Sequence, residues 1–438
     1  MKIAGIGKYP VKLTTYGDLM RITILTIGSE ITSGRISDGN GPYLASKLHG
    51  LGFIVNRLTS VADDREKILT EIQRSVDESS VVITSGGLGP TSDDFTREVI
   101  SEACKKPLKE DGKAREKLSE LHKKRGRPLN ENSLRQVQFP DGATIITNPT
   151  GTADSFISEA TSSKGVQVPI VALPGVPREF KHITDEALIP WLQARFQVSV
   201  PITKSLRLFG LSEAQIGEAI DNLSLSEEIT VSYRPQFPEI LVTFHAARGL
   251  SDKKAFELVE DAQRKTSEVL GPKIVFTEKE QQTLSQAVGE LLLEKKKTVS
   301  FAESCTGGMI ASRLIDNSGA SGYLLSSCVC YANSAKEGIL KVPHELLLAH
   351  GAVSEEVALF MARSIRELSG SDYAFSTTGV AGPTGGTAEK PVGTLWIGFS
   401  KEGVNYAKKY ELHHERNMYR SYATTLVYKL LREELLGL

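Results

Sequence analysis

The sequence predicts an α/β protein built as two three-layer α/β domains joined by a small α+β module. Three observations carry this reading. Short β-rich runs alternate with helical segments of about 10–15 residues from residue 21 to about 195. The same alternation restarts near residue 279. Between them, the stretch from about 200 to 280 has another texture, with two strand runs set among helices. A chain of 438 residues also exceeds one ordinary core, so two or three domains are expected. The expected boundaries are 1–20 for an extension without packed structure, 21–195 for the first α/β domain, 196–278 for the module and 279–438 for the second α/β domain.

In the first domain "RITILTIG" (21–28) is a β-rich run. "NGPYLASKLHGLG" follows as a helix, with Asn40 as its cap, Pro42 in the first turn, and Leu44, Leu48 and Leu51 at helical spacing. "FIVNRLTSVA" is the second strand and "DDREKILTEIQRSVDE" the second helix. "SVVITSGGLGP" is a third, mostly apolar strand that ends in glycines. The pattern runs on through "ATIITN", "DSFISEA" and "VPIVALPG", and the helix "VPREFKHITDEALIPWLQARF" closes it. Strands alternating with helices of this length imply a parallel, doubly wound sheet covered on both faces.

The module reads "ITKSLRLFGLSEAQIGEAID", "EITVSYRPQFPEILVTFHAA" and a charged helix over 251–270, with no catalytic constellation. A spacer or oligomerisation role suits it. The second α/β domain opens with the helix "QTLSQAVGELLLEKKK" and the strand leading into "FAESCTGG". It continues through "GYLLSSCVCYAN", "DYAFSTTGVAG", "VGTLWIGFS" and "VNYAKKYELHH" to a long helix over 415–436.

Composition narrows the function classes. A formal net charge of −1 argues against binding nucleic acid through bulk electrostatics. The sequence has no apolar run of about 18 residues, so no membrane span is expected. The first 20 residues are too polar for a secretory signal. The four cysteines, Cys104, Cys305, Cys328 and Cys330, read as reduced thiols of a cytoplasmic protein. Cys328 and Cys330 should share one strand face, too close along it to bridge comfortably. No zinc spacing is present, and His413-His414 reads as solvated surface.

Gly86-Gly87-Leu88-Gly89-Pro90-Thr91-Ser92-Asp93-Asp94 lies between a strand and a helix. Glycines there let backbone N–H groups approach a phosphate. The competing reading is a tight turn with a capping box, Thr91 as cap and Asp94 three residues on. Gly28-Ser29-Glu30 and Asp63-Asp64 should reach the same sheet edge, where doubly wound sheets bind ligands. Glu30, Asp63 and Asp94 together would favour Mg²⁺ or a similar divalent cation shared with substrate phosphates.

In the last domain, Ser304 of "FAESCTGG" sits at a strand-to-helix turn. Cap, phosphate holder and nucleophile all remain open for it. A serine nucleophile needs a base. "CYANSAKEGIL" offers Tyr331 and Lys336, and serine–lysine pairs are an accepted arrangement. Thr377 to Thr387 holds four glycines within eight positions, Gly379, Gly382, Gly385 and Gly386, which suits a phosphate or oxyanion cradle or a long hairpin loop. Arg416 and Arg420 lie four apart on one helix face, as an anion clamp or as exposed charges.

"TIGSEITSGRISDGN", "VADDREKI", "TSGGLGPTSDDFTRE", "RGRPLNENSLRQ", "NPTGTADSF" and "LPGVPREF" occur in that order. Together they resemble the amino-terminal domain of the competence/damage-inducible CinA proteins, itself similar to the molybdopterin-binding fold. "AESCTGG", "CYANSAK", "TTGVAGPTGGTAEKPVGT" and "ERNMYR" resemble the carboxy-terminal domain of the same family, which also exists alone as a nicotinamide mononucleotide (NMN) deamidase. The resemblance spans essentially the whole chain from residue 21.

The resemblance implies hydrolysis of the NMN carboxamide to the carboxylate with release of ammonia. Ser304 would be the nucleophile, Lys336 its base, and Tyr331 a positioning or proton-transfer group. Thr306 would help to bind substrate, and the Gly307-Gly308 helix start would supply oxyanion donors. Thr378, Gly379, Gly382, Gly385, Gly386, Arg416 and Arg420 would hold substrate. The first domain would be a metal-dependent ADP-ribose pyrophosphatase, with Gly28, Glu30, Gly86, Gly87, Gly89 and Thr91 at the nucleotide and Asp63 and Asp94 at the metal. Glu179 is a further candidate. No cofactor is expected for the amidohydrolase domain.

Three departures from the family pattern stand out. Ser29 replaces the aspartate of a "GDE" run, Thr384 stands within "GPTGG" where relatives usually carry "GPGGG", and His414-Glu415-Arg416 stands where the family has "GDR" before the last helix. The expected partners are pyridine and ADP-ribose-type nucleotides and a second copy in a homodimer, with neither nucleic acid nor membrane. The alternative is a non-catalytic partner protein tied to competence and DNA damage, or a nucleotide sensor.

Overall fold

The computed structural model describes residues 20–124, 126, 128–196, 198 and 200–438. Apart from Met20, the expected extension lies outside the described residues. The chain divides between Pro201 and Ile202 into two compact units.

The first unit runs β1 (Arg21–Ile27), α1 (Ser29–Thr32), α2 (Asn40–Gly50), β2 (Ile54–Val61), α3 (Arg65–Glu78), β3 (Val81–Ser85) and α4 (Thr96–Ala103). It continues with β4 (Leu108–Glu110), α5 (Gly112–Lys124), α6 (Glu131–Leu134), β5 (Gln138–Pro140), β6 (Thr144–Ile146), β7 (Ser155–Thr161), β8 (Gln167–Leu173), α7 (Pro177–Ile183) and α8 (Ile189–Arg195). The main sheet has the order β2-β1-β3-β8-β7-β6.

Strands β1, β2, β3 and β8 pair in parallel, as expected. β7 pairs antiparallel with β8 and with β6, which corrects the all-parallel expectation. The links 147–154 and 162–166 carry no helix, and a parallel connection needs a dozen or more residues to cross over.

Both faces are covered. On β1, Ile22 and Ile24 enter a core with Leu44 and Leu48 of α2 and Phe180 of α7. Leu25 and Ile27 enter the opposite core with Ile68 and Ile72 of α3 and Val99 of α4. Period-2 alternation thus divides one strand between two layers.

Asn40 is not the cap of α2. Asp38 accepts the amide hydrogens of Asn40 and Gly41, both at 3.0 Å. The buried Asn40 side chain instead donates to Ser85 Oγ and to the Gly175 carbonyl. It therefore ties the start of α2 to the end of β3 and the loop after β8.

The second unit begins with β9 (Thr203–Leu208), α9 (Glu213–Asp221), β10 (Ile229–Gln236), β11 (Glu239–Ala246), α10 (Asp252–Leu270) and β12 (Val275–Thr277). These strands form an antiparallel sheet ordered β10-β11-β9-β12. Next come α11 (Leu284–Lys295), β13 (Val299–Glu303), α12 (Met309–Ile315), β14 (Leu324–Val329), α13 (Asn333–Leu340), α14 (His344–His350), α15 (Glu355–Ser369), β15 (Tyr373–Gly379), β16 (Thr394–Lys401), β17 (Val404–Glu411) and α16 (Arg416–Leu436).

Their sheet has the order β14-β13-β15-β16-β17, parallel across the first three strands and antiparallel beyond. Helices α11, α12 and α16 share one core, and α13, α14 and α15 cover the other face. The second sheet is therefore the middle of three layers.

Phe209 and Phe276, from the smaller sheet's half, are buried in the α11–α16 core. The Glu239 carboxylate pairs with buried Arg207 and accepts the Leu284 amide hydrogen at 3.0 Å, which helps to satisfy the start of α11. His414 is not solvated surface as expected: its ring centroid lies 5.2 Å from both Phe237 and Tyr422. Among the described residues, no helix is long and apolar enough to cross a membrane.

Candidate active site

Every residue of β13 is buried, and Ser304 follows it directly. The Ser304 amide donates to the Thr377 carbonyl at 3.0 Å, which holds the residue against β15. The chain then reverses through Gly307 (φ 60°) and Gly308 (φ 88°), conformations that favour glycine. Helix α12 starts only at Met309, with Gly308 in the cap position.

Neither Ser304 nor Thr306 caps that helix. The buried Glu303 carboxylate accepts the amide hydrogens of Ile310 at 3.2 Å and Ala311 at 3.0 Å. Thr306 Oγ1 pairs instead with Thr377 Oγ1 at 2.8 Å. The turn is thus satisfied without the Ser304 hydroxyl.

What the Ser304 hydroxyl faces is Lys336. This lysine sits on the first turn of α13 and is only 1% exposed. Its Nζ lies 3.2 Å from Ser304 Oγ and donates to the Cys330 carbonyl at 2.9 Å and the Tyr331 carbonyl at 3.1 Å. Burial pushes its pKa below the ordinary lysine value. A neutral amine carries two N–H groups and one lone pair. With two carbonyls taking the hydrogens, the lone pair remains for the serine proton.

A cavity of about 210 Å³ opens over this pair, lined by Ser304, Tyr331, Lys336, Thr378, Gly379 and Arg416 among others. Arg416 spans its mouth, donating to the Gly382 carbonyl and to the Tyr331 hydroxyl, each at 2.9 Å. Tyr331 is 60% exposed, so its hydroxyl belongs to the rim rather than to the serine–lysine contact. Thr378 Oγ1 donates to the Ala352 carbonyl at 2.7 Å. At Gly379 a Cβ would meet Tyr419 Oη at 2.2 Å and the Thr394 carbonyl at 2.5 Å, so only glycine lets these elements approach.

Other expected residues lie elsewhere. Gly307 and Gly308 do not line the cavity, and the Gly307 amide is already bonded to the Ser304 carbonyl at 3.1 Å. The oxyanion donors expected of that turn are therefore not provided by Gly307. Arg420 turns its guanidinium to the Thr306 carbonyl, 2.9 Å from Nη2, and braces the turn from behind. Gly385 and Gly386 are exposed, outside the lining. Glu303 and the carbonyls of Cys330 and Tyr331 were not singled out by sequence. An acid closing an apolar strand shortly before a helix with no side-chain cap is the signal that marks Glu303.

A second cavity, of about 530 Å³, lies beyond the carboxyl ends of β1, β2 and β3 in the first unit. It brings together Gly28, Glu30 and Asp63 with Gly86, Gly87, Gly89 and Asp94, as the loop positions predict. At Gly86 a Cβ would lie 2.2 Å from the Ile27 carbonyl, so this loop packs directly on the end of β1. Asp63 and Ser29 are paired reciprocally: Asp63 Oδ2 accepts the Ser29 amide hydrogen at 2.7 Å, and the Asp63 amide donates to Ser29 Oγ at 3.1 Å.

Only half of the alternative capping box forms, and it caps no helix. α4 begins at Thr96, and Asp94 Oδ2 accepts from both the Thr91 amide, at 2.9 Å, and the Thr91 hydroxyl. Thr91 does not line the cavity. Asp38, Asp93 and Glu179 also reach the lining, and among the described residues no lysine or arginine does. Among the described residues, no group of three or more histidine, cysteine, aspartate or glutamate side chains is placed to hold a metal ion. The acids ring the cavity instead of converging on one point.

Comparison with known proteins finds two separate regions of the chain that match family models. Residues 23–194 match the family described as probable molybdopterin binding domain, and residues 281–435 match the CinA C-terminal domain. The chain is 35% identical over 420 residues to a putative competence-damage inducible protein of Thermoanaerobacter pseudethanolicus, covering 96% of this chain and 99% of that one. It is 36% identical over 420 residues to a CinA-like protein of Shewanella piezotolerans, covering 95% and 96%. A solved CinA superfamily protein from Klebsiella pneumoniae is 29% identical, covers 35% of this chain and 97% of its own, and superposes with a TM-score of 0.34. Similarity that runs nearly end to end in such relatives shows that the chain belongs to the CinA family of competence-damage inducible proteins.

Proposed function

We propose that the second unit is an amidohydrolase acting on the carboxamide of nicotinamide mononucleotide, releasing ammonia and nicotinate mononucleotide. The observation that carries this reading is the buried Lys336 Nζ, 3.2 Å from Ser304 Oγ in the floor of a cavity. A serine hydroxyl attacks an amide only when a base removes its proton, and a desolvated lysine is such a base.

In the proposed sequence, neutral Lys336 takes the Ser304 proton as Oγ bonds to the amide carbon. The lysine then gives that proton to the departing nitrogen, and the C–N bond breaks to release ammonia. Water, deprotonated by the same amine, attacks the acyl-enzyme ester and frees Ser304 with the carboxylate product. Arg416 at the mouth is placed to meet the negative phosphate end of a mononucleotide. The family resemblance supplies the identity of the substrate, and the dyad supports the reaction class.

For the first unit, we propose cleavage of an ADP-ribose-type diphosphate with a divalent cation. A cavity whose described lining is ringed by carboxylates and carries no basic side chain repels a bare diphosphate, so the nucleotide enters with its cation. Asp63 and Asp94, oxygen donors suited to Mg²⁺, would hold that cation together with the phosphates. Such a cation would supply charge neutralisation at the diphosphate, while the Gly86-Gly87 backbone allows close approach.

The test of the amidohydrolase is ammonia release from NMN by the full chain, beside Ser304→Ala and Lys336→Met. Wild type should turn over, and each variant should lose at least about 10³-fold. Release no faster than in the variants would overturn the reading.

A further inference from the structure

Cys328 and Cys330 take no part in the proposed chemistry, yet they stand beside it. β14 ends at Val329, so Cys330 lies just past the strand. Their sulfurs are 3.5 Å apart, in contact but not bonded. Cys330 is fully buried and Cys328 is half-buried, so an oxidant reaches the pair through Cys328. The Cys330 thiol is held below its ordinary pKa, chiefly by its contact with Cys328, against the opposing effect of burial.

Cys330 is also a structural junction. Its amide donates to the Glu303 carbonyl at 2.8 Å, beside the nucleophile. Its own carbonyl accepts from Lys336 Nζ at 2.9 Å, and that of the next residue does so at 3.1 Å. Any movement of this residue is felt by both members of the dyad.

We propose that Cys328 and Cys330 are an oxidative modification site, closing to a reversible disulfide that draws the two carbonyls off Lys336 and silences the dyad. The effect on activity rests on the amidohydrolase reading; the cross-link does not. Alternate residues of an extended strand are about 6.6 Å apart. That is the far end of the roughly 4.4–6.8 Å that a disulfide spans between Cα atoms. Closure also draws the sulfurs from 3.5 Å to about 2.05 Å, so Cys330 shifts toward Cys328 and its carbonyl moves with it.

The oxidant is a peroxide. The Cys328 sulfur attacks one peroxide oxygen, the O–O bond breaks, and water leaves behind a sulfenic acid. The Cys330 thiolate then attacks that sulfur, the S–O bond breaks, and a second water departs. Two thiols lose two protons and two electrons, and hydrogen peroxide becomes two waters. A dithiol reverses the step by exchange.

The experiment treats the full chain with hydrogen peroxide and then with dithiothreitol, following two readouts. Mass spectrometry should find a loss of about 2 Da on the peptide holding both cysteines, restored by dithiothreitol. Ammonia release from NMN should fall at least about tenfold on oxidation and return on reduction, while Cys328→Ser stays active in peroxide. Absence of the mass change overturns the proposal whatever the activity does. Equal loss of activity in Cys328→Ser overturns it as well, because inactivation then comes from another site. A reduced wild-type chain that releases no ammonia is a separate failure, of the amidohydrolase reading, and the mass readout still decides the cross-link.

Discussion

The buried carboxylate of Glu303 accepts the amide hydrogen of Ala311 at 3.0 Å, and that of Ile310 beside it. One side chain at the end of β13 thereby satisfies the start of the helix that follows the nucleophile. Unpaired amides at a helix start are orphan donors, and a carboxylate there also suits the helix dipole. The Ser304 hydroxyl is left to Lys336 because its neighbour does the capping.

Replacing this acid separates its structural from its catalytic effect. Glu303→Gln keeps one carbonyl acceptor and turns an N–H₂ group toward a donor, so one amide loses its partner. A loss of about 1–2 kcal/mol in urea unfolding is expected. The kcat for NMN should fall while KM changes little, since the carboxylate positions the turn and does not line the cavity. Unchanged stability and unchanged kcat together would remove this role.

Lys336 predicts a pH dependence with a definite sign. Its pKa is lowered by burial, and catalysis needs the neutral amine. kcat/KM should therefore rise with pH through a value below the ordinary 10.5. Stability follows the same group. Between the lowered folded pKa and the unfolded one, the unfolded chain binds more protons, so wild-type stability rises with pH across that window. Lys336→Met should abolish ammonia release, flatten that part of the stability profile and raise Tm at neutral pH. A variant no more stable than wild type at neutral pH would show that burial of the lysine is not costly.

Much of this was legible from residue pattern. Period-2 strands and helices at 3.6 spacing fix the three-layer plan, because those periods report burial directly. The pairing of Ser304 with Lys336 was legible only as a possibility, since 32 residues separate them and no spacing rule joins a turn to a distant helix. The caps expected at Asn40 and Thr91 are not made, because acids take the amide hydrogens there: Asp38 accepts from Asn40, whose side chain bonds across to Ser85, and Asp94 accepts from Thr91. The antiparallel β6–β7–β8 edge was readable from link length. His414 was not, because its partner Phe237 comes from another sheet.

Arg416 is a rim residue with two partners, and that predicts a KM effect. It joins the Gly382 carbonyl to the Tyr331 hydroxyl across the mouth. Arg416→Ala should raise KM for NMN about tenfold, equivalent to roughly 1.4 kcal/mol of binding, with a smaller change in kcat. Lysine is a poor replacement, because one ammonium does not reproduce the planar two-sided fork. Tyr331→Phe removes only the acceptor at the rim and should keep kcat within about tenfold of wild type. A far larger loss in kcat would return the Tyr331 hydroxyl to the proton-transfer step.

The first cavity is tested without reference to the second. Asp94 faces the cavity while its Oδ2 is held by Thr91, so one carboxylate oxygen remains for a cation. Asp94→Asn preserves the shape but removes the charge. Mg²⁺-dependent cleavage of ADP-ribose, followed as AMP release, should fall at least about 10²-fold. Its Mg²⁺ requirement should move to higher concentration, because the asparagine amide is a weaker ligand for a hard cation. Gly89→Ala attacks the same carboxylate sterically, since a Cβ there would lie 2.4 Å from Asp94 Oδ2. It should lose cleavage without a change in the chemistry of the ligand set. Ammonia release from NMN should be unaffected in both variants, because neither residue belongs to the second unit. Cleavage that survives Asp94→Asn with an unshifted Mg²⁺ requirement would show that the cation is held elsewhere.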